Sequence, residues 1–246
     1  MTSSTQKILY LNDQKSWFET YSQIVDNNII EKTGFNLDSI EALKHSSVET
    51  KEIQLLQITC IELMCSTYTH VAAYHCCRPT DVESYYKSGL LLGSLERTKM
   101  QAYALFRDQQ KVNTIIDDIE EFYLDGSIDK LWLFYSMYGA RKGASHYSKY
   151  GSEILQLIAN RYSSNSREFL STVGMPTILE CIIPIEWLQE RQAKEILVRY
   201  ATSPLRDLLR SQITGDNNHS NKDAFKLQTN LPSKFICNHI FLNDLA

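Results

Sequence analysis

The sequence predicts an α+β fold in which a helical N-terminal region packs on a split, mostly antiparallel sheet. Three observations predict it. Apolar residues recur at helical spacing through residues 1–66, with no strand-like stretch among them. Short runs rich in β-branched and aromatic residues then appear near 69–77, 130–137, 177–183 and 234–240. Helical segments separate those runs without the regular strand–helix–strand alternation that builds a parallel sheet.

The chain has 246 residues, enough to bury a sizeable core, and its 43% hydrophobic and 22% charged content is ordinary for a globular protein. The helical region 1–66 and the remainder, 67–246, are expected to form one compact unit. A net charge of −4 with scattered lysines and arginines argues against a protein whose first task is to bind nucleic-acid phosphates. No apolar stretch approaches membrane-spanning length, and the polar start Met1 to Gln6 has no secretory core, so a cytoplasmic protein without membrane contact is expected. The six cysteines lie in apolar runs and read as reduced core thiols. Their spacing matches no zinc site, so no metal is expected.

Taken in order, residues 15–32 carry a helical pattern that Gly34 caps, and 36–44 and 49–66 continue as helices. This region carries no polar cluster that suggests chemistry and reads as a packing or partner-binding element. At Tyr68 the texture changes to a strand closed by Arg78-Pro79, with Ala73, His75 and Cys77 on one face and Tyr74, Cys76 and Arg78 on the other. A short helix over 82–88 ends at Gly89, and helices are predicted over 95–110 and 112–123. The near-continuous apolar run 130–137 reads as a strand covered on both faces. Residues 139–143, Gly-Ala-Arg-Lys-Gly, read as a loop whose cations could meet a phosphate, although they match no phosphate-loop pattern. A helix follows to about Tyr162. The strand 177–183 sets Glu180 among apolar neighbours, which places it at a sheet edge, beside an arginine such as Arg78 or Arg141, or facing a cleft. Helices over 185–202 and 204–213, a flexible loop over 214–223 and a final strand complete the chain.

Residues 144–153, Ala-Ser-His-Tyr-Ser-Lys-Tyr-Gly-Ser-Glu, bring His146, Tyr147, Tyr150 and Glu153 close to the first turn of an amphipathic helix. Continued as one helix, Tyr147, Tyr150 and Glu153 share a face, a polar and aromatic wall suited to a pocket. The plainer reading has the tyrosines packing at the helix edge and Glu153 favouring the helix N-terminus electrostatically. In the same way His75 reads either as a hydrogen-bonded core histidine or as a cleft residue left room by its small neighbours Ala73 and Cys77.

A strand ending in aromatic-His-x-x-Arg (Tyr74 to Arg78), a short helix closing on Gly89-Leu90, an apolar strand, a Tyr/Ser-rich segment and a glutamate together resemble the ADP-ribosyltransferase fold. That fold is shared by poly-ADP-ribose polymerase catalytic domains and bacterial mono-ADP-ribosylating toxins. The resemblance covers roughly 68–240, and the His146 to Glu153 segment also resembles small bacterial proteins with a His-Tyr-x-x-Tyr-Gly-Ser-Glu stretch. It implies NAD as substrate, cleavage of the nicotinamide N-glycosidic bond and transfer of ADP-ribose to a protein or nucleic-acid acceptor, as in a toxin or phage-defence effector. By the same resemblance His75 and Arg78 hold the dinucleotide, Tyr147 or Tyr150 stacks on nicotinamide, and Glu153 or Glu180 meets the ribose. At 234–236, where the polymerase-like members place a late glutamate, this chain has Lys234, which favours binding without catalysis; the catalytic role is assigned to Glu153, through its convergence with the tyrosines, with His75, and Glu180 supports it. NAD glycohydrolysis, RNA 2′-phosphate transfer and binding without catalysis are the alternatives on the same fold.

Overall fold

A computed structural model describes residues 7–10, 62, 66–124, 130–143, 145–188 and 224–242. Their fold is mixed helix and antiparallel sheet, in agreement with the expected fold class. The helices expected over 15–32, 36–44 and 204–213, and most of those over 49–66 and 185–202, lie outside the described residues. The chain divides into two units, residues 1–72 with 183–220 and residues 73–182 with 221–246.

In the first unit, β1 (Ile8–Leu9) pairs parallel with the start of β2 (His70–Cys77), Ile8 opposite His70 and Leu9 opposite Val71. The Lys7 amide donates to Thr69 Oγ1 at 3.2 Å, and the Ile185 amide donates to the Thr69 carbonyl at 3.1 Å. A two-residue strand is too short to show a period, so the sequence does not announce it.

The second unit carries the rest of β2 and the strands β3 (Leu131–Phe134), β4 (Thr177–Pro184), β5 (Ala224–Leu227) and β6 (Ile236–Phe241), in the order β5-β3-β2-β4-β6. The pairs β2–β3, β3–β5 and β4–β6 are antiparallel. Tyr74 faces Phe134, and Phe134 faces Ala224, so alternation along each strand defines two sides of the sheet. On one side Tyr74, Cys76, Phe134 and Ile178 form a buried cluster with Ala140. On the other, Tyr135 stacks on Phe225 with ring centroids 4.2 Å apart.

Seven helices are described in this unit: α1 (Glu83–Ser88), α2 (Leu95–Leu105), α3 (Gln109–Leu124), α4 (Met137–Gly143), α5 (Ser145–Tyr150), α6 (Glu153–Tyr162) and α7 (Ser166–Leu170). Ala102, Phe106, Val112, Ile116, Ile158 and Leu170 fuse α2, α3, α6 and α7 into a second apolar cluster. Two expectations are corrected here. The strand predicted over 130–137 stops at Phe134, because Ser136 Oγ accepts from the Gly139 amide at 2.9 Å and starts α4. Residues 139–143 are therefore helical and not a loop, with Ala140 buried against the sheet.

Gly89 shows how tightly α1 is tied to the sheet region. Its φ of 77° and ψ of −171° belong to a region that glycine alone occupies readily. A Cβ at this position would lie 2.1 Å from the Leu231 carbonyl oxygen. Leu90 and Leu231 exchange two backbone hydrogen bonds of 2.8 Å immediately alongside. Gly89→Ala is expected to cost about 2–4 kcal/mol, the sum of a disfavoured backbone conformation and the loss of both bonds, read as a lowered urea midpoint.

Candidate functional site

The segment that the sequence presents as one helical face is two helices. α5 ends at Tyr150, Gly151 takes φ 81°, and Ser152 caps α6 by accepting from the Leu155 amide. Glycine permits the left-handed step and serine restarts the helix, so Tyr147, Tyr150 and Glu153 do not share a face. The break turns Tyr147 and Tyr150 to different partners. Tyr147 packs against the Tyr74 and Cys76 side of the sheet, and its phenol interacts electrostatically with the Glu153 carboxylate. Tyr150 donates to Glu168 Oε1 at 2.8 Å, with the Arg167 guanidinium 4.5 Å from its ring centroid.

Glu153 is the centre of the cluster that results. Its Oε1 lies 3.7 Å from His146 Nε2, and the two side chains are 64% and 40% exposed. The His146 and Tyr147 rings lie 4.0 Å apart at an interplanar angle of 37°. Burial raises the Tyr147 pKa, with the Glu153 carboxylate adding to the rise, so the phenol stays protonated and donates. The product is an accessible carboxylate with a phenol donor on one side and an imidazole on the other. His146 had no role assigned from sequence. Its signal was its place one residue before Tyr147, and Gly151-Ser152 already announced the break that draws Glu153 back towards it.

Arg78 holds this cluster from behind. Its Nε donates to the Val173 carbonyl at 2.7 Å, one terminal nitrogen to the Ser148 carbonyl at 3.1 Å, and the other to the Ser171 carbonyl. The Met175 amide donates to the Pro79 carbonyl at 2.9 Å, and Gly174, at φ 71°, allows this approach because a Cβ there would meet Pro79 O at 2.4 Å. Arg78 is thus a clamp on main-chain carbonyls and positions α5. It is not paired with Glu180. Among the described residues Glu180 has no ion pair and no hydrogen-bonded side chain, and it lies at a register shift where β4 and β6 slip past one another.

His75 stands apart. Tyr74 and Cys76 share the sheet side against which Tyr147 packs, so His75 projects from the opposite side. It is half-buried, and its Nδ1 lies 2.9 Å from the Trp132 carbonyl. A carbonyl only accepts, so Nδ1 carries the hydrogen and Nε2 is the lone-pair nitrogen. Burial lowers the His75 pKa, and the Trp132 bond opposes this more weakly. The folded protein therefore resists the proton that the unfolded chain takes up below about pH 6.5, and stability falls as pH drops through that point. His75→Gln is expected to flatten the stability-against-pH curve between about pH 7 and 5, as measured by urea unfolding at each pH.

Among the described residues the buried thiols offer no nucleophile. Cys76 donates to the Ala140 carbonyl at 3.1 Å and burial pushes its pKa up to about 12, while burial raises Cys77 and Cys181 as well. Among the described residues no group of His, Cys, Asp and Glu side chains is arranged to hold a metal ion, and no helix is long and apolar enough to cross a membrane. Comparison with protein-family models, with curated proteins and with solved structures finds no match to this chain.

Proposed function

We propose that the protein is an NAD-dependent ADP-ribosyltransferase whose reacting centre is Glu153, with Tyr147 and His146 beside it. The observation that carries this reading is the exposed Glu153 carboxylate, 3.7 Å from His146 and beside the Tyr147 phenol. Cleavage of the nicotinamide bond passes through a ribosyl cation, and a fixed carboxylate is the group that stabilises such a charge. Tyr147 presents its phenol beside Glu153 and walls it on the side of the sheet. The Tyr147 ring supplies an aromatic face of the kind on which nicotinamide stacks. Nicotinamide leaves as a neutral ring, so no acid is needed. In this reading Arg78 positions the site and does not touch the dinucleotide, Tyr150 braces α5 against α7, and His75 and Glu180 stand outside the reacting centre.

The test is incubation with NAD labelled separately in nicotinamide and adenine. Release of nicotinamide with adenine label on a protein or nucleic acid supports transfer. Release with free ADP-ribose as the only product makes water the acceptor, which the 64% exposure of Glu153 permits. Retention of both labels in intact NAD overturns the reading and leaves a binding module.

A further inference from the structure

We infer that His146 is the general base that takes the proton from the acceptor, and that the acceptor nucleophile is a hydroxyl group. This rests on the proposed NAD chemistry at Glu153 and adds to it the identity of the group that receives ADP-ribose.

Three features of the cluster lead there. Tyr147 packs against the sheet and burial raises its pKa, so it cannot serve as the base. Two neighbouring hydroxyls are committed: Ser148 Oγ donates to the Ser145 carbonyl at 2.9 Å, and the Ser152 hydroxyl accepts from the Leu155 amide. Among the described residues near α5, His146 combines 40% exposure, a ring nitrogen 3.7 Å from a carboxylate and a second ring nitrogen for which no partner occurs. A carboxylate near one nitrogen stabilises the imidazolium formed when the other nitrogen takes a proton. A hydroxyl nucleophile needs such a base at neutral pH.

The step balances without an outside reagent. The acceptor oxygen forms a bond to the anomeric carbon as the bond from that carbon to nicotinamide breaks. The electron pair of the broken bond neutralises the pyridinium ring, nicotinamide departs, and the hydroxyl proton moves to His146 and then to water. Glu153 lies against both positive charges as they develop, one on the ribose and one on the imidazole.

Methanol serves as the hydroxyl probe, with labelled NAD, the whole chain, and nicotinamide release and methyl ADP-ribose followed across pH. In the wild-type protein methyl transfer is expected to rise with pH as the base is uncovered. His146→Gln is expected to lower methyl transfer by about 10²-fold or more and to flatten that rise. NAD binding, read by its own titration, should shift by less than about threefold, since the role is in proton transfer. If wild-type protein releases no nicotinamide, the NAD reading and this role fall together. If release proceeds while His146→Gln transfers methanol with the wild-type rate and pH dependence, the role of His146 falls alone.

Discussion

Glu153→Gln is expected to lower nicotinamide release from NAD by about 10²–10³-fold, the scale of removing one preorganised electrostatic group from a transition state. Glutamine keeps the length and shape of the side chain, so the loss isolates the charge. NAD binding should change little, because the carboxylate meets positive charge that develops mainly on the way to the transition state. The fold should survive as well. Glu153 is 64% exposed and makes no buried ion pair, so its removal costs less than about 1 kcal/mol, chiefly the interaction with the α6 N-terminus. Nicotinamide release by rapid filtration, NAD titration and a melting curve read the three quantities separately. A variant that melts normally and still turns over NAD at the wild-type rate would take the reacting centre away from Glu153.

Arg78→Met is expected to destabilise the fold by about 3 kcal/mol, because it deletes a half-buried cation with three carbonyl partners while preserving most of the apolar stem. Hydrogen bonds to charged groups contribute roughly 1.5–3 kcal/mol each, and partial exposure of the side chain discounts their sum. For a chain of this size the loss corresponds to a melting temperature lower by about 6–12 °C. Arg78→Lys should recover only part of it, since an ammonium on a flexible stem cannot span three carbonyls in a plane. Differential scanning calorimetry on both variants measures the effect, and a Met variant that melts within 1–2 °C of wild type, about 0.5 kcal/mol, would refute the clamp.

The strands were legible where they were long and apolar. β2 and β4 came close to their predicted bounds because each is a continuous β-branched or aromatic run. β5 was missed although Phe225 and Leu227 alternate inward from Ala224 and Lys226, since four residues beyond a polar loop give too short a period. The two glycines of 139–143 suggested a loop, but burial of Ala140 and the Ser136 cap outweighed their low helix propensity. At the candidate site, the convergence of Tyr147 and Glu153 was readable and its geometry was not. A single helical period was extended through Gly151-Ser152, a pair that both ends and restarts a helix. The partners of Arg78 were beyond reach for another reason: they are main-chain carbonyls, which any residue supplies. His75 and Tyr147 looked like neighbours in a shared motif, and only the pleat of β2 shows that they face opposite ways.

The six residues of α5 also say when the site forms. A helix this short does not persist alone in water, where about 12–15 residues are needed even for favourable sequences. Its last turn is fixed through the Ser148 carbonyl by Arg78, 70 residues earlier in the chain. Closing a loop of that length is a late, slow event compared with the pairing of local elements. The strand carrying Arg78 must therefore be in place before Tyr147 and His146 meet Glu153, and during refolding the chemistry should return after the secondary structure, as the last thing the chain acquires.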